Sequence, residues 1–170
     1  MVLSGINRGA NLGSDVHYSG TVAAAREAAL KGVPAIASSL HITDWDPEST
    51  FHYDTAAQVT VEVARSLLAD PLPPGVFLNV NVPDLPRAEI KGLRPAPIGE
   101  HLYEARVAEG RDPRGKPYYW IGGPALGFAG GAHTDGELLE AGYAAVSPMR
   151  LDPTAHDALA QLQRWIPTKH

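Results

Sequence analysis

The chain has 170 residues, an ordinary apolar content and a net charge of -5. That suits one domain, or a domain with an arm, and excludes a general nucleic-acid binder, whose Lys and Arg would cluster rather than scatter. There is no cysteine, so disulfides and thiolate zinc sites are excluded, in keeping with a cytoplasmic setting, and no apolar run reaches the length of a membrane span.

Residues 1–6, MVLSGI, read as a short buried strand that ends at glycine. Ser19 is the expected N-cap of a helix over residues 21–31, because its hydroxyl can accept a free amide, and Gly32 stops it. Residues 33–40, VPAIASSL, read as a second strand. Strand, helix, strand makes a βαβ unit, and apolar strands of this kind lie in a parallel sheet covered on both faces. Asp54 is expected to cap a helix that runs to residue 69, where DPLPPG breaks it. Residues 76–82, VFLNVNV, alternate until Pro83 stops the strand. Strands are then expected over 93–98, 102–107 and 117–121, with GRDPRGKP as a turn in which Pro113 presets φ and Gly110 or Gly115 takes positive φ. This pattern predicts a hairpin that leaves the main sheet. Residues 143–148 return as a strand, and 154–165 read as a terminal helix with Leu159, Leu162 and Trp165 on one face. The fold class is α/β with a β-hairpin extension.

The stretch SGINRGANLGSDVHYSGT, residues 4–21, joins the first strand to the first helix. A helix start presents unpaired amides and a partial positive charge, so flexible glycines before it suit a phosphate. Gly9, Gly13 and Gly20 allow close backbone approach; Asn7, Asn11, Ser14, Asp15, Ser19 and Thr21 bring polar atoms. Asn7 stands at the carboxyl end of the strand, where ligands of open α/β sheets gather and where an amide oxygen suits Mg²⁺ or Mn²⁺. The spacing matches neither the Walker A pattern nor G-x-G-x-x-G. The competing reading is a Gly-rich turn with local Asn and Ser bonds.

The block VLSGINRGANLGSDVHYSGTVAAAREAALKGVPAIASSL resembles the SurE (survival protein E) family of metal-dependent 5′/3′-nucleotidases. The resemblance continues through FLNVNVP, RDPRGKPYYWIGG and TDGELLEAGYAAVSPMRLDPTAH, nearly the whole chain. It implies a Rossmann-like α/β fold with a protruding hairpin and a C-terminal helical arm, assembled as homodimers or homotetramers. The chain then divides into a partial Rossmann-like unit, 1–98, and an extension, 99–170, that carries the hairpin, a returning strand and the arm. The resemblance makes Asn7 a ligand of a divalent metal (Mg²⁺ or Mn²⁺). Asn11, Ser19, Gly20 and Thr21 match residues that hold the substrate phosphate; Asp152 and His156 match residues near the catalytic centre. The resemblance implies a nucleoside monophosphate as substrate, and neither nucleic acid nor a membrane is expected as partner. The family also carries an Asn-Asp-Asp-Gly motif after its first strand, and this sequence has no Asp-Asp pair. A misplaced start codon and an N-terminal loss both account for that, and the first is preferred here. The chain as written is expected to lack hydrolase activity. The alternative function is a non-catalytic nucleotide- or phosphate-binding fragment, or an oligomerising one.

The seven histidines, His17, His41, His52, His101, His133, His156 and His170, show no ligand spacing such as H-E-x-x-H. Asp135, in HTDG, reads as a turn residue rather than a carboxylate supporting the site. Tyr118, Tyr119 and Trp120 on the hairpin are expected to contact another subunit, because three aromatics on an arm expose much apolar surface. Arg111 and Arg114 read as exposed turn residues.

Overall fold

A computed structural model describes residues 1–43 and 48–166; His170 lies outside them. Among the described residues the core is a five-stranded sheet in the order β1-β2-β3-β9-β4. Its strands are β1 (Val2–Arg8), β2 (Ala35–His41), β3 (Val76–Pro83), β4 (Leu93–Pro95) and β9 (Ala144–Arg150). β1, β2 and β3 run parallel, β9 pairs antiparallel with β3, and β4 runs parallel to β9. β1 is an outer strand and leaves Val2 and Leu3 half-exposed.

Two helices enclose the central strands. α1 (Gly20–Leu30) buries Val22, Ala25 and Ala29 against Ala35, Ala37 and Phe77. α2 (Tyr53–Ala69) buries Ala56, Val59, Val63 and Leu67, a stripe three and four residues apart, against Ile36, Leu40, Leu78, Val80 and Val82. The strand period of two therefore puts Ala35, Ala37, Phe77, Asn79 and Asn81 on the α1 face. A short helix, α3 (Asp135–Glu140), packs beside them through Leu138 on Ala145.

Between β4 and α3 the chain leaves the sheet as a long ribbon. β5 (Glu100–Tyr103) pairs with β8 (Ala125–Ala129), and β6 (Val107–Arg111) pairs with β7 (Pro117–Ile121). Bonds from the Glu104 amide to the Pro124 carbonyl and from the Gly122 amide to the Arg106 carbonyl join the two pairs. The turn residue is Gly115, at φ 80°. Gly110 instead makes room within the ladder, since a Cβ there would run into the Tyr118 ring across the ribbon.

Several sequence expectations change. The strand over 102–107 splits at residues 104–106, where the ribbon is interrupted. The one over 93–98 stops at Pro95, beyond which a second Pro, Pro97, cannot donate to a ladder. Asp54 is not the cap of α2: the cap is His52, whose amide and Nδ1 both meet Asp84 Oδ1, at 2.7 and 2.9 Å. The terminal helix shortens to α4 (Leu159–Trp165). Asp135 is the first residue of α3, a helix that no sequence pattern announced.

Candidate phosphate site

The loop between β1 and α1 crosses the carboxyl ends of β2 and β3. It is fixed there by buried amides. The Asn11 amide donates to Asn81 Oδ1 at 2.8 Å, and the Asn11 carbonyl accepts from Asn79 Nδ2 and Asn81 Nδ2, at 2.9 and 3.0 Å. Asn11 Nδ2 donates to Ser39 Oγ at 2.7 Å. All four residues are buried. A loop that crosses a sheet edge must satisfy its backbone groups, and side chains from the strands below do so here. Asn79, Asn81 and Ser39 were missed as site residues in the sequence. For Asn79 and Asn81 the signal was the N-x-N alternation in VFLNVNV, two polar residues on one face of a strand buried on both.

Further along, the loop is tied to the ribbon. Gly13 opens a 3-10 turn, Gly13–His17, and its amide donates to Asp135 Oδ2 at 2.9 Å. Asp15 Oδ2 lies 2.6 Å from His101 Nδ1 and accepts the Tyr103 hydroxyl at 2.9 Å. Burial, then the bonded Asp15 carboxylate, raises the Tyr103 pKa, so that hydroxyl keeps its proton. His101 also stacks on Phe128, centroids 4.8 Å apart. At the end of β2, burial lowers the His41 pKa, aided by the charge of His101 and opposed by Asp84.

The loop then delivers the helix start. Ser19 is the N-cap of α1: its Oγ accepts the Val22 amide at 3.1 Å, which leaves the hydroxyl proton free to donate. Gly20 and Thr21 carry the first two helix amides, and neither has an acceptor among the described residues. Gly20 is exposed, with open space where a Cβ would stand. The Thr21 hydroxyl donates to Asn7 Oδ1 at 3.2 Å, and Asn7 Nδ2 donates to the Gly9 carbonyl at 2.8 Å.

The structure thus brings Asn7, Asn11, Ser19, Gly20 and Thr21 into one loop and helix start. Within it Asn11 is a buried strut and Asn7 leans on Thr21. Asp152 and His156 pair with each other instead, Oδ2 to Nε2 at 2.7 Å, on an exposed segment before α4, and neither bonds to residues 7–21. The Thr154 hydroxyl and amide, and then His156, hold the Asp152 carboxyl far below the usual range. No group of three His, Asp or Glu able to hold a metal occurs among the described residues. Asn7 offers one neutral oxygen, already bonded to Thr21, and that donor set does not by itself fit a divalent cation. The concave surface at the opposite, amino end of the strands is lined by Leu30, Val33, Pro34, Pro71, Leu72 and neighbours with no ionisable group, so it offers no chemistry.

The family model described as "Survival protein SurE" matches residues 1–105. The chain belongs to the SurE family. A 5′-nucleotidase SurE of Halorhodospira halophila is 47% identical over 166 residues, 98% of this chain and 64% of the relative. A 5′/3′-nucleotidase SurE of Proteus mirabilis is 48% identical over 166 residues, again 98% of this chain and 63% of the relative. The crystal structure of a SurE protein from Aquifex aeolicus superposes with a TM-score of 0.79 at 36% identity, covering 96% of this chain and 64% of that one. The chain therefore spans just under two thirds of the length of these SurE relatives, and the mixed, mostly parallel α/β sheet is theirs. No described helix is long and apolar enough to cross a membrane.

Proposed function

We propose that this chain binds the phosphate of a nucleoside monophosphate at the start of α1, and that this binding serves a phosphomonoester hydrolysis of the kind its relatives are named for. The observation that carries the reading is the pair of unpartnered amides, Gly20 and Thr21, beside the free proton of Ser19. Three donors converge where the helix dipole favours an anion. The Asn11 strut and the Asp15 tie keep the loop in that shape before ligand arrives, so the donors need little reorganisation. Bound there, a phosphoryl group has two oxygens engaged by backbone and one by Ser19.

A divalent metal, Mg²⁺ or Mn²⁺ with Asn7 as one ligand, belongs to the same proposal on the strength of the family resemblance; no step is routed through it. Asp152 and His156 are proposed as groups brought to the site by assembly. The support is their exposure and mutual hydrogen bond on an unpacked arm. A homodimer or homotetramer is proposed because Tyr118, Tyr119, Trp120 and Ile121 stand exposed on the ribbon.

The test is a titration with inorganic phosphate and with adenosine monophosphate, followed by the amide resonances of Gly20 and Thr21, together with phosphate release in the presence of Mn²⁺. Shifts at both amides support the site; phosphate release would overturn the expectation that the chain as written lacks hydrolase activity, and its absence accords with that expectation. Silent amides in a folded chain would sink the site.

A further inference from the structure

We propose that Asp135 is a positioning residue of the phosphate cradle, acting through the Gly13 amide. The inference rests on the anion-binding reading above and goes beyond it by naming what shapes the loop. Asp135 is 1% exposed. Its carboxylate accepts three backbone N–H groups: Gly13 on Oδ2 at 2.9 Å, and Gly99 and Gly136 on Oδ1 at 2.9 and 3.0 Å. The first belongs to the loop, the second to the root of the ribbon and the third to α3 itself. Each is a charge-assisted bond, roughly twice as strong as one between neutral groups.

The packing shows that this convergence depends on glycine at all three positions. A Cβ on Gly13 would lie 2.7 Å from the His101 amide nitrogen, at a φ of 50°. One on Gly99 would lie 2.9 Å from the Ala129 carbonyl oxygen, and one on Gly136 would enter the Phe128 ring. Only bare backbone approaches the carboxylate from these directions. Gly13 is the first residue of the turn that runs into Ser19, so the bond to Asp135 fixes the origin of the segment that aims the Gly20 and Thr21 amides. The named contacts of Asp135 are all backbone amides.

The sign of the expected effect separates positioning from charge. Removing a buried negative charge near an anion site should tighten anion binding by electrostatics alone. Positioning predicts the reverse. In Asp135→Asn the side-chain oxygen can still serve Gly99 and Gly136, while the amide turns a donor toward Gly13. The experiment titrates the 170-residue chain with inorganic phosphate and reads the Gly20 and Thr21 amides by NMR. Asp135→Asn should bind phosphate about tenfold more weakly, with the Gly13 and Asp15 amides displaced before ligand is added. Val63→Ala, a cavity on α2 across the sheet, should lower thermal stability and leave phosphate affinity unchanged. Equal or tighter phosphate binding by folded Asp135→Asn overturns the proposal. If that variant does not fold, Asp135→Glu carries the same expectation, because it keeps the charge and displaces Gly13. Failure of both to fold, with Val63→Ala folded, makes Asp135 a fold determinant and also overturns the proposal. A parent chain whose Gly20 and Thr21 amides ignore phosphate removes the anion-binding reading itself, and the positioning role with it.

Discussion

The loop over residues 7–21 and the ribbon over residues 107–121 are both glycine-containing excursions from the sheet, and they are stabilised in opposite ways. The loop is held from beneath by buried side chains: Asn79, Asn81 and Ser39 from the strands, Asp135 from α3. Among the described residues the ribbon is held by its own ladder, by Arg111 Nη1 donating to the Gly115 carbonyl at 3.0 Å, and by the turn at Asp112, whose Oδ1 accepts the Arg114 and Lys116 amides at 2.8 and 2.9 Å. The loop buries Asn11 together with Leu12 and Val16, whereas the ribbon leaves Tyr118, Tyr119, Trp120 and Ile121 exposed. A region that buries polar groups to fix its backbone is built for a geometry. A region that exposes aromatics is built for a surface. Substitutions should therefore act on stability in the first and on association in the second.

The largest effect is expected at Asn81. Asn81→Ala leaves the buried Asn11 amide with no acceptor and opens space beside Ser39. An orphaned buried amide plus a small cavity should cost about 3 kcal/mol. Urea denaturation of parent and variant gives this directly. A difference under about 1 kcal/mol would mean that water replaces the amide and that the network is not the anchor of the loop.

How much of this was legible in the sequence follows the same division. The βαβ frame was legible because strand apolarity, the Ser19 cap and the Gly32 stop are local signals. β3 was legible to within a residue because Pro83 ends it. The ribbon turn was legible from Asp112-Pro113-Arg114-Gly115. What escaped was non-local. α3 has six residues, too few for a 3.6-residue period to declare itself, and it is held by Asp135 reaching Gly13, 122 residues away in sequence. β8 escaped because ALGFA, with a glycine at its centre, has little strand character until β5 pairs with it. At the site, Ser19 and Gly20 were legible as a helix start. The burial of Asn11 was not, because only the sheet beneath it shows that its side chain turns inward.

Ser19 is expected to show a smaller effect, split between two readouts. Ser19→Ala removes the cap acceptor for Val22, worth about 1 kcal/mol of stability. It also removes one donor to the anion, which should weaken phosphate binding about tenfold. Ser19→Gly keeps the cap to within a few tenths of a kcal/mol and carries no donor, so it should recover thermal stability without recovering affinity. A variant series in which affinity and stability recover together would show that Ser19 acts only as a cap.

A weaker effect is expected from His41. Burial, then the nearby His101 charge, puts its folded pKa below the ordinary 6.5. The unfolded chain therefore binds the proton more readily than the folded one. Stability is fully present above about pH 6.5 and is lost as pH falls from there through the lower folded value. His101 and Asp84 act on His41 through space, so the decisive comparison is with His41→Gln, which has no proton to gain. Its melting temperature should fall less than that of the parent between about pH 6.5 and pH 5. Parallel curves would assign the acid sensitivity to the other groups.

The smallest effect on stability is expected at Trp120, where the ribbon reading is most exposed to failure. Trp120 is 70% exposed and Ile121 83%, and they stand on a ribbon whose ladder needs neither side chain. Trp120→Ala should change the stability of an isolated protomer by less than about 0.5 kcal/mol, as for a surface position outside any core. The same substitution should weaken self-association, because aromatic side chains in contact surfaces contribute more than most residues there. Sedimentation velocity over a concentration series separates the two. Trp120→Ala should shift the distribution toward monomer while the melting curve of dilute protein stays in place. If the parent is monomeric at every concentration, the ribbon does not join copies of this chain. If the variant loses several kcal/mol as a monomer, the indole packs on its own protomer, and the contrast between loop and ribbon fails at the residue chosen to define it.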